Sequence, residues 1–130
     1  MTRRTKFFEL KRLFETLQGP NGCLWDKQQT HKTLLPYLKE ETQEFIQAVR
    51  KGNFHHMREE LGDILLQVMF HSQIAAKKNK FTIEDVMGDL IKKLKRRHPH
   101  VFGKVKVNSS RQIIRNWQKI KKLEREDIQR

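Results

Sequence analysis

Five carboxylates stand in two short groups: Glu40, Glu41 and Glu44, then Glu60 and Asp63. Within each group the outer residues are three or four positions apart, one turn of a helix. The second group opens the most apolar stretch of the chain, Leu61 to Ala76. An unbalanced charge is costly there, and a cation held between the groups would remove that cost. Hard oxygen donors favour magnesium, with manganese as the other candidate, over zinc. No His-rich or Cys-rich metal spacing accompanies them. A divalent cation held on helices points in turn to phosphate chemistry. The plainer reading is two acidic surface patches offset by lysines. It suits Glu40 and Glu59 better than Glu60 with Asp63, whose neighbours are apolar.

The acids need helices to hold them, and the apolar spacing supplies these. Phe7, Leu10, Phe14 and Leu17 recur at helical intervals, which predicts a first helix over about 6–17, closed by Gly19-Pro20-Asn21-Gly22. A polar loop is expected through Lys32. The second helix should begin near Thr33 or Leu34, tolerate Pro36 in its first turn and end at Gly52. At about 100° per residue, Glu40, Glu44 and Glu41 fall at about 0°, 40° and 100° on it. Glu41 then borders the apolar side formed by Leu34, Leu38, Phe45 and Val49, and Glu40 lies farthest from it.

Asn53 is a suitable N-cap for a third helix, extending to about Lys78. This helix is apolar on nearly every side, as interior helices are. Glu60, Asp63, Gln67 and His71 nonetheless form one narrow polar stripe along it, spanning about 80°, which suggests a lined pocket. His71 reads first as a satisfied core histidine. A fourth helix starts after Thr82, with Phe81 able to staple onto Val86, carries Ile83, Val86, Met87, Leu90, Ile91 and Leu94 on one side, and stops at Pro99. A last one covers about 110–126, with Ile113, Trp117, Ile120 and Leu123 facing inward. Val101 to Val107 alternates only weakly, so no strand is expected. The fold class is all-α, a bundle of about five helices.

The totals agree with one domain over residues 1–130. The chain is 36% hydrophobic and 33% charged, which allows a modest core that a dimer would enlarge. Its single cysteine, Cys23, permits no internal disulfide and fits a reducing cytoplasm. No apolar run has membrane-spanning length. Met1 to Phe14 is basic but lacks the apolar block of a signal peptide, and reads as an amphipathic helix. The charge is uneven. Residues 1–76 hold 11 Lys/Arg against 9 Asp/Glu, a net of +2, whereas 77–130 hold 17 against 6, a net of +11. Such a half attracts polyanions, although a well-solvated surface would have the same composition.

The run Glu40-Glu41-Thr42-Gln43-Glu44, followed after 15 residues by Glu60-Leu61-Gly62-Asp63, resembles the E-E-x-x-E … E-x-x-D signature of the MazG-type all-α nucleoside triphosphate pyrophosphohydrolases. Further stretches strengthen the resemblance: Gly19 to Asp26 with Gln29-Thr30, Glu60 to Phe70, Arg96 to Gly103, and Asn116-Trp117 with Lys119 and Lys121. The likeness covers about 8–126. It implies hydrolysis of a nucleoside triphosphate between the α and β phosphates, with Mg²⁺ as cofactor and Mn²⁺ able to substitute. It also implies active sites built in a homodimer or larger assembly.

Carried over by position, Glu41, Glu44, Glu60 and Asp63 would be metal ligands, and Glu40 would orient or deprotonate the attacking water. Lys93, Arg96 and Arg97 would contact phosphates, although a basic helix end also complements the helix dipole. Trp25 and Asp26 would approach the nucleotide, with Trp25 stacking on the base or else plugging the core. Trp117 reads as packing, and His98 and His100 as parts of a turn. Leu24 replaces the proline common in the family, and His56 stands where some relatives carry lysine.

The resemblance implies nucleotide-pool house-cleaning as the role. The alternative is an inactive or regulatory helical module that binds nucleic acid. The +11 half favours it, whereas five acids and the lack of a recognisable nucleic-acid-binding motif oppose it. A membrane-surface role for the first helix is weaker, since core packing accounts for Phe7, Phe8 and Phe14.

Overall fold

The computed structural model describes residues 5–129. Among them are seven helices and no strand: α1 Lys6–Leu17, α2 Leu24–Gln28, α3 His31–Arg50, α4 Phe54–Lys77, α5 Ile83–Arg97, α6 Pro99–Phe102 and α7 Ser110–Gln129. The all-α expectation holds. The count exceeds the expected five because α2 and α6 are too short to show a helical period. The first four residues of the basic N-terminal stretch lie outside the described residues. The chain divides into two units, Met1–Ile83 and Glu84–Arg130.

In the first unit, Thr5 caps α1 by accepting from the Phe8 amide. At the far end the chain turns so tightly that a Cβ on Gly22 would collide with the Leu17 carbonyl, and Cys23 N–H donates to that same oxygen at 2.9 Å. This close approach is why glycine stands there. α3 begins earlier than its apolar pattern implies, because Thr30 and Thr33 form a reciprocal capping box. Pro36 falls inside the helix one turn later. Gly52 adopts φ +66° and ends α3, as its C-terminal position requires.

Three residues separate α3 from α4, so the two pack as an antiparallel pair. Asn53 caps α4 by accepting from the His56 amide at 3.1 Å. Asn53→Ala is expected to cost about 1 kcal/mol, read as a lower urea midpoint, and an unchanged midpoint would remove the cap from the account.

α1 lies against α4. Phe14 meets Phe70 edge-on at 5.9 Å, and Leu34, Ala48, Met69, Ile74, Ala75 and Ile83 are buried with them. Lys77 Nζ donates to the Gln18 carbonyl and side-chain oxygens, joining the ends of α1 and α4. One expectation is met only in part. α4 is not enclosed all round: Leu61, Leu65, Leu66 and Val68 are 52, 44, 41 and 39% exposed. One chain offers too few helices to cover every side of an apolar rod.

In the second unit, α5 ends in Lys95, Arg96 and Arg97, α6 opens with Pro99, and α7 carries Trp117 and Glu124.

Candidate active site

The antiparallel pairing of α3 with α4 sets Glu41 opposite Glu60 and Asp63. One carboxylate oxygen from each lies within 4.8 Å of the other two, and all three residues are partly buried. Crowding of this kind is costly with every group ionised. The carboxyl of Glu41 is accordingly pushed up to about 7, first by burial, then by its hydrogen bond with Glu60 and by the charges of Asp63, Glu44 and Glu60. Oε2 of Glu41 and Oε2 of Glu60 are buried without a hydrogen-bond partner among the described residues. Orphaned, converging carboxylate oxygens fit a hard divalent cation, which would satisfy them and replace the proton.

Glu44 lies outside this close group. It is exposed, three positions along α3, though its charge still reaches Glu41. Glu40 is exposed, as the helical wheel implies. The plainer reading of Glu59 also holds, since it pairs with His55 at 2.9 Å on the surface.

Farther along the polar stripe, Gln67 is 4% exposed and its Oε1 has no partner among the described residues. His71 Nδ1 lies 2.8 Å from His31 Nδ1, with the rings nearly parallel. Burial, and then His31, lower the His71 pKa and favour its neutral form. The stripe itself was legible, but His31 was not, because the apolar pattern starts α3 two residues too late.

Trp25 sits on α2 and divides between its two readings. Its ring meets Tyr37 at 5.9 Å and Phe70 at 6.3 Å, both edge-on, yet 46% of the residue stays exposed. Asp26 beside it is half-buried, and its carbonyl accepts from Gln18 Nε2.

The cations belong to the second unit. Lys93 is exposed. Arg97 donates from Nε and Nη2 to both oxygens of Glu124 at 3.0–3.2 Å, and Arg96 Nη2 reaches Oε1 at 3.0 Å. The Arg97 guanidinium lies over the Trp117 ring, 5.5 Å from its centre. The His98 ring packs edge-on against the Trp117 indole at 4.9 Å, and its Nδ1 donates to the Leu94 carbonyl. Sequence reasoning passed over Glu124, although it follows Trp117 by seven positions and so shares a helix face with it.

The family profile described as "MazG nucleotide pyrophosphohydrolase domain" matches residues 29–102, more than half of the chain. The chain belongs to the MazG family. A nucleoside triphosphate pyrophosphohydrolase/pyrophosphatase MazG from Thermotoga maritima is 51% identical over 119 residues, covering 92% of this chain and 45% of that protein. A nucleoside triphosphate pyrophosphohydrolase from Escherichia coli is 41% identical over 114 residues, covering 87% and 43%. An uncharacterized protein of Bacillus subtilis, YabN, is 46% identical over 120 residues, covering 92% and 24%. The chain thus spans less than half the length of these curated relatives. The crystal structure of a mazG-related protein from Thermotoga maritima superposes with a TM-score of 0.69 at 26% identity, covering 86% of this chain and 98% of that one. The five-acid signature falls wholly inside the matched family segment, as do Lys93, Arg96 and Arg97; Trp25 and Asp26 precede it.

Proposed function

We propose that residues 1–130 act as one catalytic domain that hydrolyses nucleoside triphosphates to nucleoside monophosphate and pyrophosphate. The observation that carries this reading is the convergence of Glu41, Glu60 and Asp63 within 4.8 Å in a chain of the MazG family. These three, with Glu44, would hold Mg²⁺ or Mn²⁺. When bound, the cation supplies charge neutralisation for the triphosphate and acidifies water. Water adds across the α–β anhydride: one P–O bond breaks, one forms, and the water proton passes to Glu40, which stands exposed next to Glu41 on α3. Lys93, Arg96 and Arg97 offset the charge that builds on the departing pyrophosphate. The open part of Trp25 stacks on the base, with Asp26 beside it.

The uncovered apolar side of α4 supports assembly as a homodimer or tetramer, which would bury Leu61, Leu65, Leu66 and Val68. Among the described residues no helix is long and apolar enough to cross a membrane. A cytoplasmic place of action suits a nucleotide substrate, and removal of surplus or aberrant nucleotides suits the reaction.

A panel of canonical and damaged triphosphates, incubated with Mg²⁺ and separated chromatographically, tests the reaction. Monophosphate and pyrophosphate in equal amounts are expected. Diphosphate with inorganic phosphate would refute the bond assignment. No turnover, together with tight and salt-sensitive nucleic-acid binding, would instead favour the binding-module reading that the +11 half supports.

A further inference from the structure

Arg96 and Arg97 are neighbours in sequence and so leave α5 about 100° apart. Their guanidiniums nonetheless converge, because both donate to Oε1 of Glu124 at 3.0 Å. Bringing two cations together is unfavourable unless an anion stands between them, and Glu124 is that anion. It does more for Arg97 than neutralise it. Nε and Nη2 bind the carboxylate as a fork, and the guanidinium carbon lies over the Trp117 ring, 5.5 Å from its centre. The Nε/Nη2 edge of the guanidinium is thereby fixed. The donors at Nη1 project from the edge opposite Nε, which the carboxylate does not engage.

An ordinary surface ion pair contributes little. This one differs, since the Arg97 and Glu124 side chains are each only 16% exposed and the contact is bidentate. The arginines also hold Glu124 below the ordinary carboxylate range, Arg97 most of all, so it stays charged.

We propose that Glu124 is a positioning residue for phosphate recognition, fixing Arg96 and Arg97 so that their outer donors meet the pyrophosphate portion of the substrate as a prepared pair. This rests on the reading of those arginines as phosphate contacts. Glu124 itself touches no phosphate, which its charge would repel. It acts by removing the rotamer freedom that two long side chains would otherwise lose on binding.

The test uses the full chain with Mg²⁺ and two readouts: KM for a nucleoside triphosphate, and the affinity for inorganic pyrophosphate by calorimetry. Glu124→Gln is expected to weaken both by about tenfold while kcat changes less than about threefold. Arg97→Met should weaken both at least as much, and the double variant should weaken them by less than the product of the two single effects, as expected of residues that share a contact. Glu124→Asp keeps the charge and should recover most of the lost affinity. If Glu124→Gln does not fold, Glu124→Asp is read instead, and a rise in both constants of about threefold is expected from its shorter reach.

Unchanged constants in the Glu124 variants, with only a lower melting temperature, would reduce the contact to a fold element and overturn the proposal. Tighter pyrophosphate binding in Glu124→Gln would also overturn it, by making Glu124 a competitor for the arginines. Arg97→Met with unchanged pyrophosphate affinity would sink the phosphate reading itself, and the positioning role with it. An effect of Arg97→Met without one of Glu124→Gln would leave that reading standing and remove the positioning role alone.

Discussion

Asp63→Asn and Glu41→Gln are each expected to lower pyrophosphate release by about a thousandfold or more, equivalent to about 4 kcal/mol of barrier. Each change keeps the shape of the side chain and removes one charged oxygen from a trio whose oxygens lie within 4.8 Å. An amide offers a neutral carbonyl where the cation needs an anion, so affinity and charge compensation fall together. The loss should appear beside an unchanged helical circular dichroism spectrum, which separates chemistry from folding. It should also abolish the rise in melting temperature that Mg²⁺ gives the parent. Glu44→Gln should do less harm, since Glu44 stands outside the close trio. Turnover within about fivefold of the parent in both Asp63→Asn and Glu41→Gln would end the metal-ligand assignment.

The second large effect concerns stability without metal. Glu41 has an ordinary pKa of 4.5 and is raised to about 7 in the fold. Between those values the folded protein keeps a proton that the unfolded chain has released. Stability from this group therefore falls as pH rises through the window, and the penalty is complete above about 7. Glu41→Gln removes the ionisation and should raise stability in chelator by about 3 kcal/mol at pH 8. Below pH 4.5 the gain should vanish, because Glu41 is then protonated in both states. Urea titrations at pH 4.5, 6 and 8 would show it as a rising difference between variant and parent midpoints. Equal midpoints at every pH would mean that the three carboxyls are not crowded in solution. The same substitution would thus stabilise the metal-free chain and silence it, the pattern expected where charges are concentrated for function rather than for folding.

The acid cluster and the Arg97–Glu124 contact differ in how far each was legible from local sequence. The acids were legible because their spacing is local. Three or four residues make a helical turn, and apolar neighbours on α4 make a bare carboxylate expensive wherever the helix ends up. The caps at Asn53 and Gly52 were legible for the same reason, as each rests on atoms within a few residues. His31 escaped because a capping box started α3 ahead of its apolar period, and Glu124 because its partners are 27 and 28 positions away.

Residue order alone therefore settled the all-α class and the principal helices and singled out the two acidic groups, since these depend on periodicity, capping and charge cost along a short length of chain. Tertiary packing decided which acids meet: Glu41 joins Glu60 and Asp63, while Glu40 and Glu44 stay in solvent. It likewise decided that Arg97 rests between an indole and a carboxylate, and that α4 keeps an uncovered apolar side. These outcomes depend on how one helix is rotated and shifted against another. That register is set by the fit of many side chains at once and is written in no short segment of the chain.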